Sequence, residues 1–415
     1  MFSKSHTAPM ERRRHRYRQD HVMVCETRGR CFLTGISEHS HKEVICVKHP
    51  RGDWHMRIRE ATSDDKSAWD SFVDAEDGSF FHYFDWKYVY EARGNQFIPL
   101  LIDTAASQLV GILPVAKEKR LLYSTLDSLP DGASGGCLLK RGLSDEERHE
   151  ATSALLQYLD ENYSRGCSTF TVNENLTLAA KASEDPTSDL TDNGFRFRFD
   201  KSTGLPCTHV LELKQPFEEN IWKGWSRMLR RGVSKAEENG VVVIQDRELK
   251  YAEDFTEMLW DNCRRHRTNP PTRDEIMVRL NVFRDRSKLF VALLDGRPIV
   301  TLLCHYAHST CYLAKVGSYE KDTDDANKLC YKVAIEDACN AGYRFVEFGI
   351  TATPGLAFFK ERFKGTRVPM RIYEKSYSIW GTLLEKAPVL MSNAWHDRSY
   401  IWKNRRKLWD RIVHI

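Results

Sequence analysis

The chain of 415 residues has no apolar run approaching the roughly eighteen residues that a membrane-spanning helix needs. Its first residues carry charge and histidine where a secretory signal would carry an apolar segment, so no signal is expected there. Glycine and proline are scarce, at 23 and 14 positions, which excludes collagenous and low-complexity architectures. The eleven cysteines are odd in number, include no Cys-x-x-Cys pair, and several fall inside apolar runs such as Leu302–Cys304. They are expected as reduced thiols packed as small core residues, in a cytoplasmic protein. There is no Gly-x-Ser-x-Gly elbow, no phosphate loop and no dinucleotide fingerprint. Charge of one sign is not in excess either: 62 Lys/Arg face 58 Asp/Glu.

The small net charge is unevenly placed. Residues 1–55 carry 11 Lys/Arg against 6 Asp/Glu and seven of the fifteen histidines, while the rest carries 51 against 52. A near-neutral body argues against a DNA-binding protein with a basic surface. At Met56 the sequence changes to a short strand, Thr62-Ser63-Asp64-Asp65 as a helix cap, and Trp69, Phe72 and Val73 at helical spacing. Residues 1–55 are therefore expected to be an upstream extension or disordered leader. Cys25, Cys31, His39, His41, Cys46 and His49 cluster there, but their spacings match no zinc-finger pattern, and no metal is expected.

From residue 56 the periodicities predict strand, two helices, three strands, helix, strand, and a polar stretch over 174–205. Residues 206–378 repeat that order, with boxes at Ser144-x-x-Glu147 and Thr272-x-x-Glu275 opening helices in the two halves. Ile98–Val115 and Leu289–Tyr306 align as apolar run, acidic turn, apolar run. Two tandem α/β (α+β) units follow, 56–205 and 206–378, each a mixed sheet with helices on both faces, with a single large mixed sheet as the alternative.

Several local motifs extend this reading. They are Phe80-Phe81-His82 to Trp86; Gly111-Ile112-Leu113-Pro114 with Ser128-Leu129-Pro130 and Gly135-Gly136; Arg231 to Ala236 with Gly240-Val241; and Ala326-Asn327 through Glu347-Phe348-Gly349 to Leu356–Lys360. In this order they resemble the Fem-type family, peptidoglycan-bridge aminoacyltransferases built from tandem GNAT acyltransferase units. The resemblance covers about residues 56–378. It implies acyl transfer to an amine, with aminoacyl-tRNA or acyl-CoA as donor and no tightly bound cofactor. Ser234 stands where the family often has Arg, and Glu347 where it often has Asp. The Arg/Gln-x-x-Gly-x-Gly/Ala turn that cradles a CoA pyrophosphate in many GNAT enzymes occurs in neither unit.

Acyl transfer needs an oriented carbonyl, a neutral amine and donors for the developing oxyanion. Lys360 is the leading catalytic candidate, as an ammonium that stabilises the oxyanion or grips a donor phosphate, against a solvated helix lysine beside Arg362 and Lys364. Glu347, on one face of a predicted strand with Phe345 and Gly349, is the second, as acceptor of the amine proton or as a structural ion-pair partner. Arg227, Arg230, Arg231 and Lys235 form a basic strip, with 227, 231 and 235 on one helix face, suited to phosphate or carboxylate or to solvent. Asn327 starts a helix as a cap, and the resemblance places it near the donor; Tyr331 and Phe359 complete the candidate substrate-binding set. From Pro388 onward Trp395, Trp402 and Trp409 recur at seven-residue spacing among basic residues. Residues 379–415 are thus a basic amphipathic tail that packs back on the body or makes peripheral membrane contact. The expected partners are a small-molecule or cell-wall-precursor acceptor and charged tRNA. The alternatives are an acyl-CoA-dependent N-acetyltransferase for a small metabolite or polysaccharide precursor, and a non-catalytic GNAT-fold scaffold.

Overall fold

The computed structural model describes residues 55–104, 106–128, 135–174, 188–198, 206–266, 268–319, 324–379 and 382–383, with the backbone of four short strands upstream. Three of these, β1 (Arg14–Arg16), β2 (Val22–Glu26) and β3 (Arg30–Thr34), form an antiparallel sheet of their own. The fourth, β4 (Ile45–Lys48), pairs antiparallel with β5 (His55–Glu60), so the first main sheet begins upstream of Met56. The histidine and cysteine side chains of residues 25–49 and the tryptophans of the tail lie outside the described residues.

The first unit continues through α1 (Lys66–Ala75), α2 (Trp86–Ala92), β6 (Gln96–Thr104), β7 (Leu109–Lys119), β8 (Ser124–Ser128), β9 (Leu138–Leu139), α3 (Asp145–Tyr163) and β10 (Cys167–Asn173). Within the stretch read as merely polar, α4 (Ser188–Asp192) and β11 (Arg196–Arg198) are ordered elements. The second unit comprises β12 (Cys207–Glu212), α5 (Phe217–Asn220), α6 (Arg227–Glu238), β13 (Val242–Asp246), α7 (Ala252–His266), α8 (Arg273–Val282) and β14 (Ser287–Leu294). It closes with β15 (Arg297–Ala307), β16 (Thr310–Ser318), α9 (Asp324–Asn340), β17 (Phe345–Glu347), α10 (Pro354–Glu361), β18 (Thr366–Pro369) and β19 (Ile372–Ser376).

The caps form as the sequence requires: the Ser144 hydroxyl accepts from Glu147 N–H at 3.2 Å and the Thr272 hydroxyl from Glu275 N–H at 3.1 Å. Strands β6 and β7 are apolar almost without alternation because α3 covers one face and α1 and α2 the other.

Two main sheets result, in the orders β11-β19-β10-β8-β7-β6-β5-β4 and β13-β14-β15-β16-β17-β12-β18, with β9 paired to β7. The single-sheet alternative is excluded. One strand crosses between the units. β12 opens the second unit and lies antiparallel beside β17 of that same unit, whereas β19, which ends the second unit, lies antiparallel beside β10 of the first. Tyr373 of β19 is consequently buried in the first unit's core among Leu126, Phe170 and Phe195.

The seam between the units is aromatic. Phe80, Trp86 and Tyr90 of the first unit share one apolar cluster with Phe283, Ala307 and Tyr312 of the second. The Phe80 ring stacks on His305 at 4.2 Å. Polar links flank it: Arg93 pairs with buried Glu275 at 2.7 Å, and the Arg286 guanidinium donates to the Tyr83 hydroxyl at 2.7 Å.

Candidate functional site

The two units differ at the place where their parallel strands meet. In the first, β8 and β10 stay paired from Ser124–Cys167 to Ser128–Val172, and an isolated bridge at Gly135–Glu174 prolongs the seam. A buried polar brace locks it. Ser128 Oγ donates to Pro114 O at 2.9 Å and accepts from Gly136 N at 2.8 Å, and His82 Nε2 lies 3.3 Å from Gly136 O. The motif residues Pro114, Ser128 and Gly136 therefore do structural service. In the second unit, β16 and β17 pair only at Thr310–Phe345, Cys311–Val346 and Tyr312–Glu347, after which β16 runs on to Ser318. A bulge between Leu303 and Cys304 in the β15–β16 register lies just beyond that last pair and bends β16 away. Among the described residues no strand covers this edge of β16 past Tyr312.

Lys360 sits under the open end. It is 3% exposed, so the solvated-lysine reading is wrong. Its Nζ donates to Gly349 O at 2.9 Å, Ile350 O at 2.8 Å and Thr351 Oγ1 at 3.0 Å. Burial lowers its pKa to about 8, opposed by the nearby Cys207 thiol and the Glu347 carboxylate. All three ammonium protons are committed to the loop after β17. Lys360 thus fixes that loop and supplies a positive charge from beneath it; a direct grip on substrate requires one of these bonds to exchange.

The loop is held from the other side by β12. His209 is fully buried, with Nδ1 3.2 Å from Thr351 Oγ1 and Nε2 3.8 Å from Glu361 Oε1. The ammonium has only protons to give, so Thr351 Oγ1 accepts from Lys360 and donates its own proton to His209 Nδ1. Burial first, and then the charge of Lys360, hold His209 neutral by pushing its pKa down.

Glu347 stands opposite Tyr312 across the last paired position and opposite Val210 on its other side. Burial above all, and then the Glu347 charge, raise the Tyr312 phenol and keep it protonated. Tyr312 packs edge-on against Phe81 of the first unit at 5.6 Å, so Glu347 and Tyr312 bring the site to the seam between the units.

The remaining candidates separate into two places. Tyr331 is a buried wall residue, parallel to Phe348 at 6.2 Å and edge-on to Phe359 at 5.5 Å. All three rings pack on Phe363, just past α10. The basic strip lies on α6, where Arg227, Arg231 and Lys235 are exposed and Arg230 is half-buried. α6 approaches α9 closely over Gly232, where a Cβ would come within 2.7 Å of Asp325 and Lys328 side-chain atoms. There Asp325 bridges Lys235 at 3.2 Å and Lys328 at 2.6 Å. Asn327 lies inside α9, which begins at Asp324, so it is not the helix cap expected; its Oδ1 is buried without a hydrogen-bond partner in the structure.

Sequence reasoning missed Tyr312, Thr351 and His209, which sit on strands or a loop with no motif around them. A cleft of about 420 Å³ opens elsewhere, near the beginnings of β16 and β17, among Asp246, Arg284, Lys288, Tyr306 and Tyr343, and includes none of the candidates. Ligands of open α/β sheets bind at the other end, beyond the carboxyl ends of the strands, where Lys360 lies.

Residues 225–364 match the profile of Acetyltransf_6, described as an acetyltransferase (GNAT) domain. The structure is similar to the crystal structure of FemX, at 15% identity and TM-score 0.60, covering 80% of this chain and 99% of that one. It is also similar to the C-terminal domain (DUF2156) of a protein from Agrobacterium fabrum proposed to be a lysylphosphatidylglycerol synthetase, at 10% identity and TM-score 0.52, covering 80% and 98%. No curated protein sequence matches the chain. Residues 225–364, within the second unit, thus match a GNAT acetyltransferase domain, which supports acyl transfer, and the fold of the whole is like that of FemX.

Proposed function

We propose that this GNAT-type acyltransferase moves an acyl or aminoacyl group onto an amine of an acceptor held at the seam between the units, with the chemistry confined to the second. The observation that carries the reading is the parted pair β16 and β17 above the buried Lys360. An extended donor arm can lie along the uncovered edge of β16 and take the backbone partners that a strand would have. The fixed charge of Lys360 favours the oxyanion that develops as the amine attacks. Glu347, facing Tyr312 at the seam, receives the proton released by the amine. Tyr331 and Phe359 wall the site, Asn327 lies on the helix that follows β16, and the exposed Arg227, Arg231 and Lys235 on α6 receive the anionic part of donor or acceptor. Acyl-CoA suits the parted strands; charged tRNA suits the basic face of α6. The acceptor is a small molecule or a cell-wall precursor.

Titration of the full chain with acetyl-CoA, followed by thermal shift, separates the donors. Ligand at about a hundred times its dissociation constant stabilises by about 2.7 kcal/mol, a shift of a few degrees. A saturable shift supports acyl-CoA, and a flat melting temperature at millimolar ligand moves the donor to aminoacyl-tRNA. With a donor in hand, Lys360→Ala is expected to lower kcat at least a hundredfold. Because the charged form is the active one, wild-type kcat/KM should decline as pH rises through about 8. Lys360→Ala should abolish that decline, and a decline that persists in the variant would overturn the assigned role.

A further inference from the structure

The turn joining β7 to β8 breaks the rule for its position. Arg120 N donates to Tyr123 O at 2.8 Å, closing a tight turn whose two corners are Leu121 and Leu122. Such corners ordinarily take small or polar residues such as Gly, Asn, Asp or Ser, which stay solvated. Here they hold two leucines, 97% and 72% exposed, the former the most exposed large apolar side chain among the described residues. Nothing in the fold requires them. Exposed cations stand at the base of the hairpin. Lys119 ends β7, and Ser124 N donates to Gly166 O at 2.9 Å, which brings the Ser164-Arg165-Gly166 turn alongside. Glu118 is neutralised by Arg120 at 2.8 Å, leaving Lys119 and Arg165 as the unbalanced charges.

We propose that the Leu121–Leu122 hairpin tip is a membrane-docking wedge that enters the interface of an anionic bilayer, with Lys119, Arg120 and Arg165 at headgroup level. Shape decides between a bilayer and a protein partner. A convex two-residue tip offers far less than the roughly 800 Å² per side that a specific protein interface buries. A fluid bilayer needs no complementary pocket and accepts a small apolar wedge rimmed by cations. The wedge belongs to the first unit, whose parallel strands are zipped shut, so it leaves the open end of the second unit free.

Co-sedimentation of the full chain with vesicles tests this, using phosphatidylglycerol mixed with phosphatidylcholine against phosphatidylcholine alone. Wild type should partition at least tenfold more strongly to the anionic vesicles, and the preference should shrink as salt is raised. The double variant Leu121→Gln with Leu122→Gln, which leaves charge unchanged, should lose at least tenfold of that partition while keeping the wild-type melting temperature. The proposal is overturned if wild type ignores anionic vesicles. It is equally overturned if the double variant partitions as wild type does, which would assign binding to another surface such as the basic tail. A third contrary result is wild-type self-association that the leucines support and vesicles do not displace, which would make a second copy the occupant.

Discussion

At the scale of single residues, the buried titratable groups set how stability follows pH. His82 is enclosed, its Nδ1 accepting from Ser79 N–H at 3.0 Å, and burial lowers its pKa to about 4. The unfolded chain protonates this ring near its ordinary value of 6.5, so between pH 6.5 and 4 the unfolded state binds more protons and stability falls as pH falls. The difference corresponds to about 3 kcal/mol for His82 at the acid end. His82→Asn retains an acceptor for Ser79, and its denaturant midpoint should drop less than that of wild type between pH 7 and pH 4.5. An unchanged drop would mean that His209 and His305, also held neutral mainly by burial, or the carboxylates carry the effect. For Lys360 the window differs. With the folded value near 8 against 10.5 unfolded, stability rises with pH between those values, and Lys360→Met should flatten that rise. The resemblance singled out Lys360, but its burial was not legible. The residues that capture it, Gly349 to Thr351, are nine to eleven positions upstream and meet it only because α10 folds back on the loop.

At the scale of elements, β16 carries the site, and its shape has two local causes. The bulge beside Leu303 and Cys304 turns it from β17, and Gly317 lets α7 lie against it. A Cβ on Gly317 would come within 2.7 Å of both Met258 Cβ and Thr301 Oγ1 and 3.3 Å of Leu259 N, and neither α7 nor β15 can yield without shifting backbone. Gly317→Ala should therefore cost about 1–3 kcal/mol by overpacking, measured by denaturant unfolding. It should also lower acyl transfer beyond the loss of folded protein, because β16 is displaced at its uncovered edge. The strands themselves were readable: Cys167–Asn173 and the hairpins β6–β7 and β14–β15 follow from apolar runs broken by Asp-Gly or Ser-containing turns. The parting of β16 from β17 was not, because a bulge leaves no compositional trace.

At the scale of the whole molecule, the crossing of β19 makes the first unit incomplete without the second. Which strand pairs with which across such a distance depends on tertiary docking that no local period records, so the duplication was legible and the crossing of β19 was not. β19 contributes Tyr373 to the first core, and β12 contributes His209 to the loop over Lys360. The seam adds Arg93 and Glu275, whose carboxylate is almost fully buried. One cooperative unfolding transition is expected for the described body, with calorimetric and van't Hoff enthalpies equal. The ion pair offers a sharper check. Arg93→Ala leaves the Glu275 charge enclosed between units and should cost about 3–5 kcal/mol, whereas Arg93→Met with Glu275→Leu together, which restores apolar packing, should cost far less. If the units were merely tethered, the single variant would separate two transitions and spare the melting of one. Because β19 and the aromatic seam tie them, both should shift down together, and transfer at the seam should fall in step.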